Sequence, residues 1–144
     1  MQDKIVDIVL IEDNPNDAEL AIRALKKKNL AKNLLWLKDG EEALDYLLSL
    51  NKDIKIKRLP KLILLDLKLP KVSGIDVLEK IKTNKDLFPI PVVVLTSSKE
   101  ERDISACYKN NVNSYIAKPV DFSEFMTTIS DIGLYWLNLN QPFK

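Results

Sequence analysis

Four short apolar runs of this chain each stop at a polar residue able to do chemistry. The first ends in Glu12 and Asp13, a later one in Asp66, and two more in Thr96 and Lys118. Asp66 follows the most uniform of them, Leu62-Ile63-Leu64-Leu65. A run apolar on both faces suits the middle of a covered parallel sheet. A carboxylate at its end falls where open α/β sheets hold ligands, just outside the carboxyl edge. Glu12, Asp13 and Asp66 gathered at one edge would repel, which disfavours their joint ionisation. A hard cation relieves that repulsion, and carboxylates with waters and a phosphoryl oxygen suit Mg²⁺. Lys118 adds a point charge suited to phosphate, and Thr96 adds a hydroxyl donor. An acid nucleophile, a metal, a lysine and a hydroxyl make a phosphoryl-transfer site, where positioning and charge neutralisation do most of the catalysis.

These residues share a cleft only if the elements between them bring the run ends together. Ile5 to Ile11 is rich in Ile and Val, broken only by Asp7, and reads as the first strand. Asn14 then caps a helix, with Pro15 at its first position and Asp17 in its positive first turn. Ala18, Ala21, Ile22 and Leu25 form that helix's apolar face, and Lys26-Lys27-Lys28 its cationic end. Leu34 to Leu37 reads as a second strand. Glu41 to Ser49 reads as a helix turning Ala43, Leu44, Leu47 and Leu48 inward. Residues 51–58 are polar and Lys-rich and read as a surface loop, although Ile54 and Ile56 alternate with lysines as a brief strand would. Leu62 to Leu65 is the third strand, followed by a helix over Ser73 to Thr83 with Ile75, Leu78 and Ile81 on one face. Phe88-Pro89-Ile90-Pro91 breaks the chain before a fourth strand, Val92 to Leu95. A short helix from Glu100 to Lys109 is weakly amphipathic through Ile104, Cys107 and Tyr108. Asn113 to Ala117 is the fifth strand. Asp121 starts a last helix whose stripe is Phe122, Phe125, Met126, Ile129, Ile132 and Trp136, with Gly133 interrupting it.

Strand–helix alternation through five units implies an α/β fold: a doubly wound, five-stranded parallel sheet with helices on both faces. The order 2-1-3-4-5 puts the topological switch between strands one and three, hence Glu12, Asp13 and Asp66 side by side.

Composition narrows the function. The 144 residues suit a single domain over 1–144, with a core of about 5–133 and a tail over 134–144 too short for an output domain. A net charge of +1 argues against a dedicated nucleic-acid binder. The lone Cys107 excludes an intramolecular disulfide. The N-terminus fits neither a signal peptide nor a membrane span, so a soluble, cytoplasmic protein is expected. Histidine is absent, so any histidine chemistry must come from a partner.

Taken together, Ile-Glu-Asp-Asn-Pro (11–15), Leu-Leu-Asp-Leu-Lys-Leu-Pro (64–70) with Gly74, Thr96-Ser97 and Tyr-Ile-Ala-Lys-Pro (115–119) resemble a two-component response-regulator receiver domain, CheY-like in fold. The resemblance spans nearly the whole chain. Residues 40–47, the long stretch before the third strand and residues 135–142 are similar to small stand-alone regulators paired with phytochrome-type and related sensor histidine kinases. The resemblance implies that Asp66 accepts a phosphoryl group from a kinase phosphohistidine. It implies that Asp13 and Asp66 bind Mg²⁺ directly, with the Lys68 backbone carbonyl, and that Glu12 acts through metal-bound water. Lys118 would pair with the phosphoryl oxygens, and the Lys118–Pro119 bond would be cis. Thr96 would move onto the phosphoryl group, beside small Ser97, and Tyr115 would turn inward as the aromatic switch. Side chains at Lys68 and Ser98 would tune the rate of phosphoryl loss.

A Mg²⁺-dependent phosphohydrolase with an Asp nucleophile is the competing function. Such enzymes commonly carry a second acid two residues on, where this chain has Lys68. A nucleotide or flavin module lacks its Gly-rich loop. Tyr135, Trp136, Leu137, Leu139 and Phe143 leave two readings open: packing back on the domain, or a dimer or kinase interface, the expectation being a homodimer through the last helix and tail.

Overall fold

Successive residues of a strand point to opposite faces, and here both faces are covered by helices. The computed structural model describes residues 5–50 and 59–142. Five strands, β1 (Ile8–Ile11), β2 (Leu34–Leu37), β3 (Leu62–Leu65), β4 (Val92–Thr96) and β5 (Ser114–Ala117), alternate with α1 (Pro15–Lys27), α2 (Gly40–Ser49), α3 (Gly74–Lys82), α4 (Glu101–Lys109) and α5 (Phe122–Leu134). All pairings are parallel, in the order β2-β1-β3-β4-β5 that the sequence predicts. The central strands β1, β3 and β4 are buried along their full length. Val9, Ile11, Ile63, Leu65, Val92 and Val94 join the cluster that includes residues of α2, α3 and α4. Ile8, Leu10, Leu62, Leu64, Val93 and Leu95 join the cluster with α1 and α5. This is why the strands read as unbroken apolar runs. The reading of 51–58, including Ile54 and Ile56, lies outside the described residues.

Local chemistry sets the helix starts. Asn14 caps α1 by accepting from the N–H groups of Asn16 and Asp17, and Pro15 needs no acceptor at the first position. Asp39, Ser73 and Asp121 cap α2, α3 and α5 in the same way. Glu100 makes no such bond at α4, whose one buried residue is Cys107.

Several inward assignments change. The first strand begins at Ile8, and Ile5 is exposed. Leu48, Tyr108 and Phe122 face solvent. In α2 the inner face runs through Ala43, Leu44 and Leu47, and Leu50 at the helix end joins it in place of Leu48. α5 runs unbroken through Gly133. A Cβ there would lie 2.6 Å from Leu25 and 2.9 Å from Leu30, so its absence lets α1 close on α5. Past α5 the chain widens into a π-helical turn, Tyr135–Leu139, with Trp136 and Leu137 packed on the α1–α5 cluster and Tyr135 and Leu139 exposed. No helix among the described residues is long and apolar enough to cross a membrane.

Lys82 closes the far end of α3. It is buried, and its ammonium donates to the carbonyls of Phe88 and Ile90, both at 2.9 Å, under the breaker that precedes β4. Burial lowers its pKa from an ordinary 10.5 to about 8. The unfolded chain therefore holds this proton more tightly, and stability rises with pH between those two values. Lys82→Met should destabilise the fold by about 1–3 kcal/mol, because the buried Ile90 carbonyl and the part-buried Phe88 carbonyl lose their donor. Denaturant titrations should show the native chain gaining on this variant between about pH 8 and 10.5; a pH-independent difference would refute the assignment.

Candidate functional site

The ladder runs one residue past each central strand and thereby aligns the acids. Ile11 pairs with Leu65, the Asp66 N–H donates to the Ile11 carbonyl at 3.0 Å, and the Glu12 N–H donates to the Leu37 carbonyl at 3.0 Å. Glu12 and Asp66 thus leave adjacent strands together and are both buried, while Asp13, one residue further, is exposed. One carboxylate oxygen from each of the three lies within 4.8 Å of the others. An all-oxygen donor set, open to solvent on the Asp13 side, fits a hard divalent cation. Behind Asp66, Gly74 donates its N–H to the Leu67 carbonyl at 2.8 Å. A Cβ on Gly74 would fall 2.3 Å from the Asp66 carbonyl oxygen and 2.5 Å from Leu67 Cα. Only glycine lets α3 begin this close to the strand end that carries Asp66.

Lys118 brings the balancing charge from β5. Its backbone N–H donates to the Thr96 carbonyl at 2.8 Å. Its Nζ reaches Glu12 Oε1 at 2.7 Å, Asp17 Oδ2 at 2.9 Å and Asp66 Oδ2 at 3.4 Å. An ammonium has three donors, and each faces one carboxylate. Burial alone would lower the Lys118 pKa, but the bonds to Glu12 and Asp17 and the Asp66 charge outweigh it, holding the ammonium above its ordinary value. Burial, aided by the Asp66 charge, raises Glu12 to about 7, while Lys118 works against that rise. The Lys118–Pro119 bond is trans rather than cis, since no described peptide bond is cis. Trans is the intrinsically favoured form even before proline.

Thr96 ends β4 fully buried, its Oγ1 accepting from the Ser98 N–H at 3.4 Å. Ser98 Oγ donates to Asp103 Oδ2 at 2.5 Å, and the Tyr115 hydroxyl donates to the Ser98 carbonyl at 2.8 Å. Tyr115 is half-buried, its ring against the α2–α4 cluster. These bonds tie Thr96, Tyr115 and the start of α4 to one loop. Lys68 is exposed, and its N–H approaches Asp66 Oδ1 at 3.4 Å.

Of the residues singled out in the sequence, the structure brings Glu12, Asp13, Asp66 and Lys118 into one cluster and places Thr96 beside it through the Lys118 backbone. The reading missed that Asp17 reaches Lys118. Its position four residues after Asp13, in the first turn of a helix leaving the same edge, was the available signal.

The Trp36 indole N–H donates to the Glu12 carbonyl at 2.8 Å, so its emission reports on this edge. In a Trp136→Phe background, Mg²⁺ or Mn²⁺ should change that emission saturably, and Asp13→Asn should weaken the midpoint by tenfold or more, about 1.4 kcal/mol. An unchanged midpoint would remove Asp13 from the cation site.

Residues 8–130 match the family described as response regulator receiver domain. The chain is 44% identical over 134 residues to the probable methanogenesis regulatory protein FilR2 of Methanothrix harundinacea, covering 93% of this chain and 85% of that protein. It is 40% identical over 130 residues to response regulator Rcp1 of Synechocystis, covering 90% of this chain and 88% of that one. The Mn²⁺-bound form of Rcp1 superposes with a TM-score of 0.82 at 37% identity, covering 95% of this chain and 98% of that one. The phosphorylated cyanobacterial phytochrome response regulator RcpA superposes with a TM-score of 0.85 at 34% identity, covering 97% and 100%.

Proposed function

The chain belongs to the response regulator receiver domain family, and on that premise we propose that Asp66 is its phosphoacceptor and that Lys118, Thr96 and Tyr115 carry the phosphorylation-dependent switch. Members of this family signal through a phosphorylated aspartate and act on no substrate beyond their own phosphoryl group. The observation that carries the assignment is the Lys118 ammonium aimed at a buried Asp66 beside Glu12 and Asp13.

The donor is a phosphohistidine on a sensor kinase, the partner that a chain without histidine requires. An Asp66 carboxylate oxygen attacks phosphorus, the N–P bond breaks, and its electron pair returns to the imidazole, leaving an acyl phosphate. Asp13, Asp66 and the Lys68 backbone carbonyl would hold Mg²⁺, with Glu12 beside them acting through water. Bound there, it neutralises charge on the phosphoryl oxygens. The relatives support this reading: Rcp1 has been seen with Mn²⁺ and RcpA phosphorylated.

Lys118 exchanges its long bond to Asp66 for a phosphoryl oxygen. Thr96 gives up the Ser98 N–H and donates its hydroxyl to the phosphoryl group, with Ser97 leaving room. Tyr115 follows through its bond to the Ser98 carbonyl. The α4 start, lacking a side-chain cap and burying only Cys107, is the element most easily shifted. Lys68 and Ser98 flank Asp66 and Thr96 and set the lifetime of the acyl phosphate. The phosphohydrolase alternative gains no support, since exposed Lys68 stands where its second acid belongs.

The chain forms one receiver domain that works in the cytoplasm, without nucleic-acid or membrane contact. It pairs as a homodimer through Tyr135 and Leu139, while Trp136 and Leu137 serve its own core.

Incubation with Mg²⁺ and acetyl phosphate should place one phosphoryl group on the native chain and none on Asp66→Asn, as read by intact mass. Label persisting in the variant would overturn the assignment. Light scattering should find a dimer that Tyr135→Lys with Leu139→Lys converts to a monomer; a monomeric native chain at high micromolar concentration would refute the pairing.

A further inference from the structure

We infer that Asp17 is a positioning residue for Lys118, setting how fast Asp66 takes up its phosphoryl group; this rests on the phosphoacceptor reading of Asp66. The Lys118 ammonium makes three bonds of unequal length. Two bonds are short, 2.7 Å to Glu12 and 2.9 Å to Asp17, and the third, to Asp66, is 3.4 Å. The two short charge-assisted bonds fix the ammonium from two elements, β1 and α1. The long one is the weakest and is directed at Asp66 Oδ2, on the carboxylate that reacts. A phosphoryl oxygen arriving at Asp66 can therefore take that donor without a new Lys118 rotamer.

Asp17 itself is held in place. Its backbone N–H donates to Asn14 Oδ1 at 3.2 Å, within a cap completed by Pro15. Its side chain is 31% exposed while that of Lys118 is 11% exposed, so Asp17 is the solvent-side arm of the clamp. Without Asp17 the ammonium would keep a single short bond, to Glu12, beside the long one to Asp66. With Asp17 present, the ammonium is restrained before the reaction, and catalysis by positioning needs such restraint. The placement also explains why an acid stands at this point of α1 beyond favouring the helix dipole, a role that any of the first-turn positions could serve.

The test is a double-mutant cycle on the rate of Asp66 phosphorylation by acetyl phosphate in saturating Mg²⁺, with thermal melts confirming that each variant folds. Asp17→Asn should lower the limiting rate about fivefold, roughly 1 kcal/mol of positioning at a partly exposed contact. The half-saturating donor concentration should stay unchanged, because donor binding does not use Asp17. Asp17→Ser, a second small polar variant, should behave alike. In a Lys118→Met background Asp17→Asn should change nothing further, since the hydrogen bonds that link it to Asp66 run through that ammonium. An equal loss in both backgrounds would show a structural role and overturn the inference, as would an Asp17→Asn rate equal to that of the native chain when Lys118 is intact. A native chain that takes up no label would overturn the phosphoacceptor reading and this inference with it, an outcome distinct from either.

Discussion

One ammonium shared by three carboxylates is the constraint on which the rest of this structure depends. Glu12 and Asp66 are buried, and a buried charge is tolerated only when paired and hydrogen-bonded. Lys118 supplies that pairing from 106 residues beyond Glu12 and 52 beyond Asp66. It reaches them only because β1, β3 and β5 are parallel and end on one edge. Antiparallel pairing of any of them would send one partner to the opposite side of the sheet. The doubly wound fold thus solves an electrostatic problem as well as a packing one.

The site is stiff on one side and soft on the other. The acids leave β1 and β3, which are buried on both faces and hydrogen-bonded to neighbours on both edges. Gly74 presses the start of α3 against the backbone of Asp66 and Leu67. Nothing there can move without breaking close packing. Thr96, Ser98, Asp103 and Tyr115 are joined by a chain of side-chain hydrogen bonds instead, next to a helix with no side-chain cap and one buried residue. Such bonds exchange at small net cost. A new charge at Asp66 therefore finds a rigid floor beneath it and a re-formable network beside it, which is what a two-state response requires.

Much of this was legible because the signals were local or strictly periodic. The runs at Leu34, Leu62 and Val92 announced their strands, and Asn14 and Asp121 announced helix starts. The readings that failed concern which side of a helix meets the core. Leu48, Tyr108 and Phe122 lie on plausible apolar faces yet are exposed, because a helix's rotation is set by the surface it lies on. Gly133 looked like a flaw in α5 and is a seat for Leu25 and Leu30, two side chains of distant sequence. The peptide bond before Pro119 was expected to be cis and is trans.

The order of strand, acid, helix and cap along the chain was enough to specify the sheet, its strand order and the four strand ends that meet. Each of those depends on residue type and short-range spacing, and parallel crossovers leave few other topologies. Which acids hold the lysine depended on the folded geometry. Asp17 reads in sequence as an ordinary first-turn acid, and its pairing with Lys118 spans 101 residues. The opening at Asp13 and the direction of Tyr115 toward Ser98 are likewise set by packing between elements, which no local pattern encodes.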